Sequence, residues 1–439
     1  MAGPATLPAM SFETRFYAYL GSLHDVLGDK RRRGRFDSYC TGLNLSLERK
    51  SVEPMAAALE PDNVAAAHQN LQHFVADAPW SDDALLGRIE SLVDEAMGDA
   101  PRYWLVDDTG MPKKGRHSVG VARQYCGQIG KQDNCQVAVS VSLATEAASV
   151  PVAYRLYLPE SWATDPDRRA AVGVPEDVAF RTKAQIALEQ ITDRVERGTT
   201  PGLVVADSGY GYDVGFREGL DALGLIYSVG VKANTSVWAP GVEPLPPKPY
   251  SGRGRHPKNM IVAAGHKPCS VEALARELPA QKWRTVSWRE GTNAELSGRF
   301  ARVRVRAASR DHQRTERRPE QWLLIEWPAN EPEPTKFFLS TEAASTTLAE
   351  LVATAKIRWR IERDYQEMKS EFGLNHYEGR GWRGFHHHAS LCIATYAFTV
   401  IERLRHPARK KNPPRPAPPA VPEGFRPRGA AEADAASRA

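Results

Sequence analysis

The segment Tyr103-Trp-Leu-Val-Asp-Asp-Thr-Gly110 joins an apolar run to two aspartates and a glycine. A second segment, Leu203-Val-Val-Ala-Asp-Ser-Gly209, repeats this arrangement later in the chain. Short apolar runs that end in Asp and Gly are typical of buried β-strands that end in turns. A carboxylate at the end of a buried strand is held in place yet stays reachable from the edge of the sheet. Since a single Asp there is more often a turn residue, a functional role needs support from the rest of the chain.

The segments around these two runs predict further strands and helices. Residues 135–143 and 150–158 are rich in β-branched and aromatic residues and predict two strands. Apolar residues recur at helical spacing over about 180–197 and 214–223, and residues 225–231 predict another strand. The resulting order of three strands, helix, strand, helix, strand predicts a mixed α/β sheet. A doubly wound nucleotide-binding fold would instead need strict alternation and a glycine-rich first turn, and neither is in the sequence.

A charged helix is predicted near the C-terminus by Arg358-Trp-Arg-Ile-Glu-Arg-Asp-Tyr-Gln-Glu-Met-Lys369. Helical spacing places Arg358, Glu362, Tyr365 and Lys369 along one stripe, with a carboxylate between two cations. A solvated helix with i,i+4 ion pairs would show the same pattern. Together with the two strand-end aspartates, however, Glu362 completes a set of carboxylates of the kind that hard cations such as Mg²⁺ prefer.

These segments resemble the DDE transposases of bacterial insertion sequences, whose catalytic core is RNase H-like. The Y-R-E-K signature of that group, Tyr-x2-Arg-x3-Glu-x6-Lys, matches at Arg358, Glu362 and Lys369, while its tyrosine position holds Ala355. The resemblance covers roughly residues 100–400, and the order of strands and helices is the one that an RNase H-like fold requires.

The resemblance also assigns the acids. The Asp-x-Thr form usual at the first acid favours Asp107, with Asp108 as the alternative, and Asp207 matches the second acid. Asp107, Asp207 and Glu362 would hold two Mg²⁺ ions, for which Mn²⁺ can substitute, and Arg358 and Lys369 would hold phosphate near them. Lys113 and Lys114 form a local basic cluster and are further candidates for contact with DNA. The implied function is cut-and-paste DNA transposition: metal-dependent cleavage at the element ends, followed by strand transfer into target DNA.

A β-rich insertion is predicted between the last core strand and the Glu362 helix. Strands are expected at 299–306, 321–327 and 336–340, after a Pro-rich connector at 240–257. Period-2 alternation places Arg302, Arg304 and Arg306 on one side of the first of these strands. These arginines either contact the phosphate backbone of DNA or keep an exposed edge strand soluble, and the sequence leaves both alternatives open.

The whole chain of 439 residues therefore divides into five predicted parts. A helical N-terminal domain, which the resemblance assigns to binding of the terminal repeats, precedes the two parts of an RNase H-like core that flank the insertion, and a Pro-, Ala- and Arg-rich tail follows. Their ranges are 1–98, 99–235, 236–345, 346–405 and 406–439. Within the first part, cations near Lys50 precede a predicted helix start at Ser51, an arrangement suited to phosphate.

Composition is ordinary for a soluble globular protein, with 42% hydrophobic and 25% charged residues, and a net charge of +5 says little about nucleic acid. Five scattered cysteines without C-x-x-C spacing argue against a zinc module and favour a reducing cytoplasm. No run has the length of a membrane span. The consecutive histidines 386–388 would point in different directions on a helix, which favours a polar or phosphate-facing cluster over a metal site.

The expected partners are double-stranded DNA at the terminal inverted repeats and at the target, bound by a homodimer in the bacterial cytoplasm and associated with the nucleoid. Two other functions remain open: an RNase H-like nuclease that cuts without joining, and a DNA-binding regulator derived from a transposase. The intact carboxylates argue against the regulator. A glycoside hydrolase is disfavoured, because cations around Glu362 would lower the pKa that a general acid needs raised.

Overall fold

The computed structural model describes residues 11–254, 256–290 and 295–406, apart from the side chains of Glu290 and His312. The predicted tail lies almost entirely outside these residues. The described helices are α1 (Phe12–Ser22), α2 (Arg33–Asn44), α3 (Val52–Leu59), α4 (Val64–Ala76), α5 (Asp82–Met97), α6 (Glu160–Ala163), α7 (Pro166–Ala171), α8 (Lys183–Glu196), α9 (Ser208–Gly211), α10 (Val214–Ala222), α11 (Val271–Arg276), α12 (Leu348–Lys356), α13 (Trp359–Ser370) and α14 (Trp382–Arg405). The described strands are β1 (Tyr103–Pro112), β2 (Ala122–Cys126), β3 (Lys131–Ala144), β4 (Ser149–Leu156), β5 (Leu203–Ala206), β6 (Tyr227–Val231), β7 (Ser236–Trp238), β8 (Cys269–Ser270), β9 (Arg284–Glu290), β10 (Glu295–Ala307), β11 (Gln321–Trp327) and β12 (Lys336–Ser340).

The core sheet has the order β4-β3-β1-β5-β6, and β2 pairs with the free end of β3. The first strands are antiparallel, whereas β5 runs parallel to β1 and to β6. Parallel neighbours need crossover connections, which α8 and the pair α9–α10 provide. The predicted mixed α/β architecture of an RNase H-like core is confirmed.

The insertion extends the same sheet. Strand β12 pairs antiparallel with β6 and is followed by β11 and β10, which confirms the three strands predicted in this region. The far side of β10 pairs with β9 and β7. These pairings cover 295–300 and 306–307, so the stretch with Arg302 and Arg304 has no strand partner on that side among the described residues. The alternative that these arginines protect an exposed strand edge therefore stays open.

Helices cover both faces of the core sheet. Asp107 of β1 is paired with Ser140 of β3, whose hydroxyl shares a 2.7 Å hydrogen bond with Tyr365 of α13. The next pair along the strands lies on the opposite face. There, Arg155 of β4 binds Glu189 of α8 at 2.7 Å. Helices α13 and α14 therefore pack on one face, and α8 packs on the other.

The N-terminal residues form helices, as predicted, and these helices pack on α14. Apolar residues of α1–α5, of the core sheet and of α14 belong to one continuous hydrophobic cluster. The chain up to Arg405 is a single compact unit. Of the helices in the described part of the chain, none combines the length and the apolarity that crossing a membrane requires.

The three histidines of α14 are buried within this cluster. His386 Nε2 accepts from the Leu156 amide, His387 stacks on Trp80, and His388 Nδ1 lies 2.9 Å from the Tyr39 hydroxyl. They do point in different directions. The hypothesis that they face phosphate is wrong, because each one joins α14 to another element in the interior.

The charged helix predicted at 358–369 is α13, and a separate helix, α12, precedes it. Helix α12 ends at Lys356, and α13 begins at Trp359 with Arg358 as its N-cap residue. Helix α12 packs on the insertion through Leu351, Val352 and Ala355, whereas α13 packs on the core sheet. The break therefore allows the chain to cross from the insertion to the core immediately before Glu362.

Candidate active site

The first two acids meet because β1 and β5 are parallel neighbours. Their register pairs Val106 with Ala206, so Asp107 and Asp207 are the next residues along the two strands. Strand β5 ends at Ala206, directly before Asp207, whereas β1 continues through Asp107 to Pro112. The turn predicted directly after the first acid is therefore wrong. The sequence predicts both strands, and their register adds that the two aspartates are adjacent.

Asp207 follows β5 and caps the short helix α9. Its Oδ1 accepts from the amides of Gly209, at 2.8 Å, and of Tyr210, at 3.3 Å. Gly230 of β6 lies directly against this turn. A Cβ at Gly230 would stand 2.8 Å from the Ser208 nitrogen and 3.1 Å from the carbonyl carbon of Asp207. Because Gly230 has no side chain, the turn that carries Asp207 can lie directly against β6.

Asp107 and Asp108 have different partners on opposite faces of β1. Asp107 Oδ2 accepts from Arg358 Nη2 at 2.8 Å, on the side of α13. Asp108 Oδ1 lies 3.1 Å from Lys183 Nζ of α8, and its Oδ2 accepts from the Tyr210 hydroxyl at 3.2 Å. The geometry favours Asp107 as the first acid, because it faces the helix that carries Glu362.

Glu362 lies in the first turn of α13, and its side chain is 65% exposed. Its Oε1 stands 3.9 Å from Arg358 Nη2, the same nitrogen that donates to Asp107. Arg358 therefore lies between the first and the third acid. Its Nε is buried and has no hydrogen-bond partner among the described residues, so the guanidinium retains donor capacity.

Two cavities flank the acids. The larger, about 760 Å³, is lined by all four carboxylates, by Lys183 and by the α13 residues that include Tyr365 and Lys369. The smaller, about 420 Å³, lies between the core and the insertion. Asp207 and Glu362 line both cavities, and Arg358 lines the smaller one. The predicted stripe of α13 thus faces these cavities rather than open solvent.

Burial raises the pKa of Asp107 to about 6, against the opposing effect of Arg358. The negative charges of Asp207 and Asp108 raise this pKa further. A cluster of carboxylates that repel one another, with only oxygen donors, fits a hard divalent cation. Among the described residues, no three His, Cys, Asp or Glu side chains already stand close enough together to hold a metal ion. Metal binding by this set therefore requires its side chains to move closer together.

The predicted phosphate-binding lysines differ in their surroundings. Lys369 Nζ donates to the Gly110 carbonyl at 2.8 Å, and burial lowers its pKa to about 8. Lys113 Nζ donates to the Tyr377 carbonyl at 2.6 Å, and burial likewise lowers its pKa to about 8. Lys114 is exposed. Of the three, Lys369 lines the larger cavity.

The three arginines of β10 already have partners within the insertion. The guanidiniums of Arg302 and Arg304 lie over the Trp322 ring, at 4.4 and 4.9 Å from its centroid. Arg306 donates to the Arg318 carbonyl at 2.7 Å and stands 3.5 Å from Glu320. None of the three lines either cavity beside the acids. These contacts favour a role in holding the insertion together over a role in phosphate binding.

The basic residues before α3 also have partners within the protein. Ser51 caps α3, as predicted, but Lys50 is buried, and its ammonium donates to the Leu43 and Glu371 carbonyls. Arg49 is paired with Glu378. Lys50 therefore ties the N-terminal helices to the end of α13, and its ammonium is not available to phosphate.

Sequence analysis missed two residues at the site, Lys183 and Tyr210. Both contact Asp108 from distant positions in the chain. Lys183 follows the capping residue Thr182 at the start of α8, and Tyr210 follows Asp207 in α9. Each position is predictable as a helix start, whereas the contact with Asp108 depends on the packing of α8 and α9 on the sheet.

Comparison with known proteins shows the family of this chain. A family model described as DDE superfamily endonuclease matches residues 22–295, which include Asp107 and Asp207. The chain is also similar to the probable transposase for insertion sequence element IS701 of Microchaete diplosiphon, with 30% identity over 228 residues, 52% of this chain and 55% of that protein. The chain thus spans about half the length of this relative. Because the family model covers more than half of the chain, the protein belongs to the DDE superfamily of endonucleases.

Proposed function

We propose that this protein is a DNA transposase that cuts the ends of an insertion sequence and joins the freed 3′ ends to target DNA. The observation that carries the proposal is the convergence of Asp107, Asp207 and Glu362, from two adjacent strands and a helix, on one cavity. Phosphoryl transfer needs such a set of carboxylates together with cations for phosphate. The similarity to a probable insertion-sequence transposase supports the same function.

Asp107, Asp207 and Glu362 would hold two Mg²⁺ ions, for which Mn²⁺ can substitute. Ions bound there would lower the pKa of a bound water or 3′-hydroxyl and stabilise charge on the attacked phosphate. Arg358 would hold a non-bridging phosphate oxygen through its fork of N–H donors, and Lys369 would supply a point charge beside it. Lys113 and Lys114 would contact the backbone farther from the cut.

The DNA partner would be the terminal inverted repeats of the element, followed by the target duplex. We assign repeat binding to the N-terminal helices, where Lys30, Arg31 and Arg35 are among the basic residues. Two chains would act together on the paired element ends. The protein would work in the bacterial cytoplasm, associated with the nucleoid when DNA-bound.

The test uses duplexes copied from the inverted repeats that flank the gene, with Mg²⁺. We expect Asp207→Ala or Glu362→Ala to abolish nicking while DNA binding stays within about twofold of wild type, because the acids hold the metals rather than the DNA. Glu371→Ala, which removes an exposed carboxylate at the end of the same helix, is the matched control and should nick normally.

Substantial nicking by Glu362→Ala would overturn the catalytic assignment and direct attention to Glu367 or Glu371. Pre-cleaved ends incubated with a supercoiled plasmid separate the remaining functions. Joined products are expected from a transposase, whereas nicking without joining would identify a nuclease. Binding without either reaction in Mg²⁺ or Mn²⁺ would identify a DNA-binding regulator.

A further inference from the structure

The hairpin formed by β2 and β3 folds back over the end of β1. Cys126 near its tip packs so closely on Gly110 that a Cβ on that glycine would lie 2.7 Å from the cysteine sulfur. Gln124 Nε2 donates to the Cys135 carbonyl across the hairpin at 3.0 Å. These contacts fix the hairpin beside the acids, and its residues Tyr125, Gly127 and Gln128 line the larger cavity.

Tyr125 is the most exposed large hydrophobic side chain among the described residues, at 60%. It shares the outer face of β2 with Arg123, which is also exposed. Within the described part of the chain, its ring has no aromatic, cationic or hydrogen-bonded partner. Because the ring is exposed and lines the cavity beside the acids, it is open to contact with a ligand there.

Lys183 belongs to the same cavity. Its ammonium is paired with Asp108, which Tyr210 also holds, so the side chain is fixed at the wall. A lysine ammonium has three donors, and one of them goes to Asp108. Two remain for oxygen atoms in the cavity. The hairpin therefore contributes an aromatic face, and α8 contributes a cation.

We propose that Tyr125 and Lys183 form a subsite for one nucleotide of the DNA end next to the scissile phosphate. Tyr125 stacks on its base, and Lys183, positioned by Asp108, contacts its phosphate. Stacking on an aromatic ring tolerates any base and requires that the base be unpaired, which a frayed or cut end provides. This subsite rests on the proposed function, because it assumes that DNA reaches the acids.

The test is a double-mutant cycle between protein and DNA, with Ca²⁺ as the divalent ion to keep the DNA uncut. An abasic residue replaces each of the three nucleotides nearest the cut, one at a time, in the element-end duplex. We expect one abasic position to weaken wild-type binding about tenfold, and Tyr125→Ala to weaken binding of the intact duplex equally. At that position the two changes together should cost no more than either alone.

Further variants separate stacking from structural damage. Tyr125→Phe should restore the affinity, since stacking needs only the ring. Tyr212→Ala, which removes another exposed tyrosine outside the cavity walls, should bind as wild type. Lys183→Gln should flatten the slope of log K against log salt by about 0.9, whereas Tyr125→Ala should leave the slope unchanged.

Two failures are distinguishable. If wild-type protein binds and nicks the element-end duplex but no abasic position couples to Tyr125→Ala, the subsite is overturned and the proposed function stands. If wild-type protein neither binds nor nicks that duplex, the proposed function itself fails.

Discussion

Asp107 and Asp108 are adjacent in sequence, but their side chains serve opposite faces of β1. We expect Asp107→Asn to reduce Mg²⁺-dependent nicking below detection. Asp108→Asn should reduce it about tenfold, because Asp108 acts through Lys183 and Tyr210, and changes in such supporting residues typically cost 10–100-fold. Single-turnover nicking of the element-end duplex measures both variants. Full activity in Asp107→Asn with none in Asp108→Asn would reverse the assignment.

Gly230, which carries no charge, should be as important for nicking as the acidic residues are. Gly230→Ala places a methyl group 2.8 Å from the Ser208 nitrogen, so the turn that holds Asp207 must move. We expect Gly230→Ala to reduce the rate of nicking at least about a hundredfold while DNA binding is retained. The reason is that metal ligands must be held within fractions of an ångström. Gly21→Ala is the control, since a Cβ at Gly21 meets nothing within 4 Å. Normal nicking by Gly230→Ala would show that the turn adapts.

At the scale of single residues, the sequence shows which side chains are charged, but it does not show which of them contact each other in the folded chain. Asp107, Asp207 and Glu362 can be singled out because an apolar run followed by Asp and the helical signature are local patterns. The pairing of Asp108 with Lys183 joins residues 75 positions apart, and no local pattern encodes it. The structural use of Lys50 escaped prediction for the same reason.

Among the elements, α14 carries a pH-dependent contribution to stability. Burial lowers the pKa of His388 to about 4, from 6.5 when exposed. The unfolded chain therefore binds more protons than the folded chain between these values, and stability falls as the pH falls from 6.5 towards 4. The slope from this residue is on the order of 1 kcal/mol per pH unit.

Urea unfolding at pH 7.5 and 5.5 measures this contribution. The difference in the free energy of unfolding between the two pH values should shrink in His388→Gln, which cannot titrate. His68→Gln, on the exposed side of α4, should leave the difference as in wild type. An unchanged difference in His388→Gln would mean that another group dominates acid destabilisation.

Strand β10 provides a second test at this scale. Replacing Arg302, Arg304 and Arg306 together with Gln removes two guanidiniums from the Trp322 ring and one from Glu320. We expect a lower melting temperature and an unchanged dependence of DNA affinity on salt. If these residues contact phosphate instead, the salt slope should flatten by about 0.9 for each lost contact. Measuring both quantities on the same variant decides between the two roles.

The elements themselves are largely predictable, for physical reasons. Strands β3, β4, β6 and β10 have strong β-branched or alternating patterns, and these patterns predicted them. Strand β2 was missed, because Ala122-Arg-Gln-Tyr-Cys126 is short and has no regular apolar alternation. The break between α12 and α13 has no local signal, since no Pro or Gly marks it and both helices keep helical periodicity.

For the whole molecule, the shared core predicts that the N-terminal helices cannot be removed without loss of the fold. Helix α14 packs against α5, α2 and α4 on one side and β4 on the other. We expect a chain starting at residue 99 to aggregate or unfold, because α14 would expose its buried apolar residues. The intact chain should lose near-UV and far-UV circular dichroism together on heating. A soluble, folded truncated protein that still nicks DNA would contradict this prediction.

The order of strands and helices along the chain was predictable, but their packing into one compact unit was not. Sequence patterns separated a helical region, a sheet and an insertion, because composition and periodicity change between them. The structure joins them through β6–β12 pairing and through the buried histidines 386–388. Such joints depend on contacts between distant segments, which leave no periodic pattern.

The tight fit of Gly230 against Asp207 has a consequence for how copies of such a gene decay in a genome. On the proposed function, a single base change at the Gly230 codon would silence an element whose Asp107, Asp207 and Glu362 codons are all intact. Inventories that judge whether a copy is still mobile from its acidic codons alone would count that copy as active. Including the glycine codon together with the acidic codons would separate active copies from inactive copies more accurately.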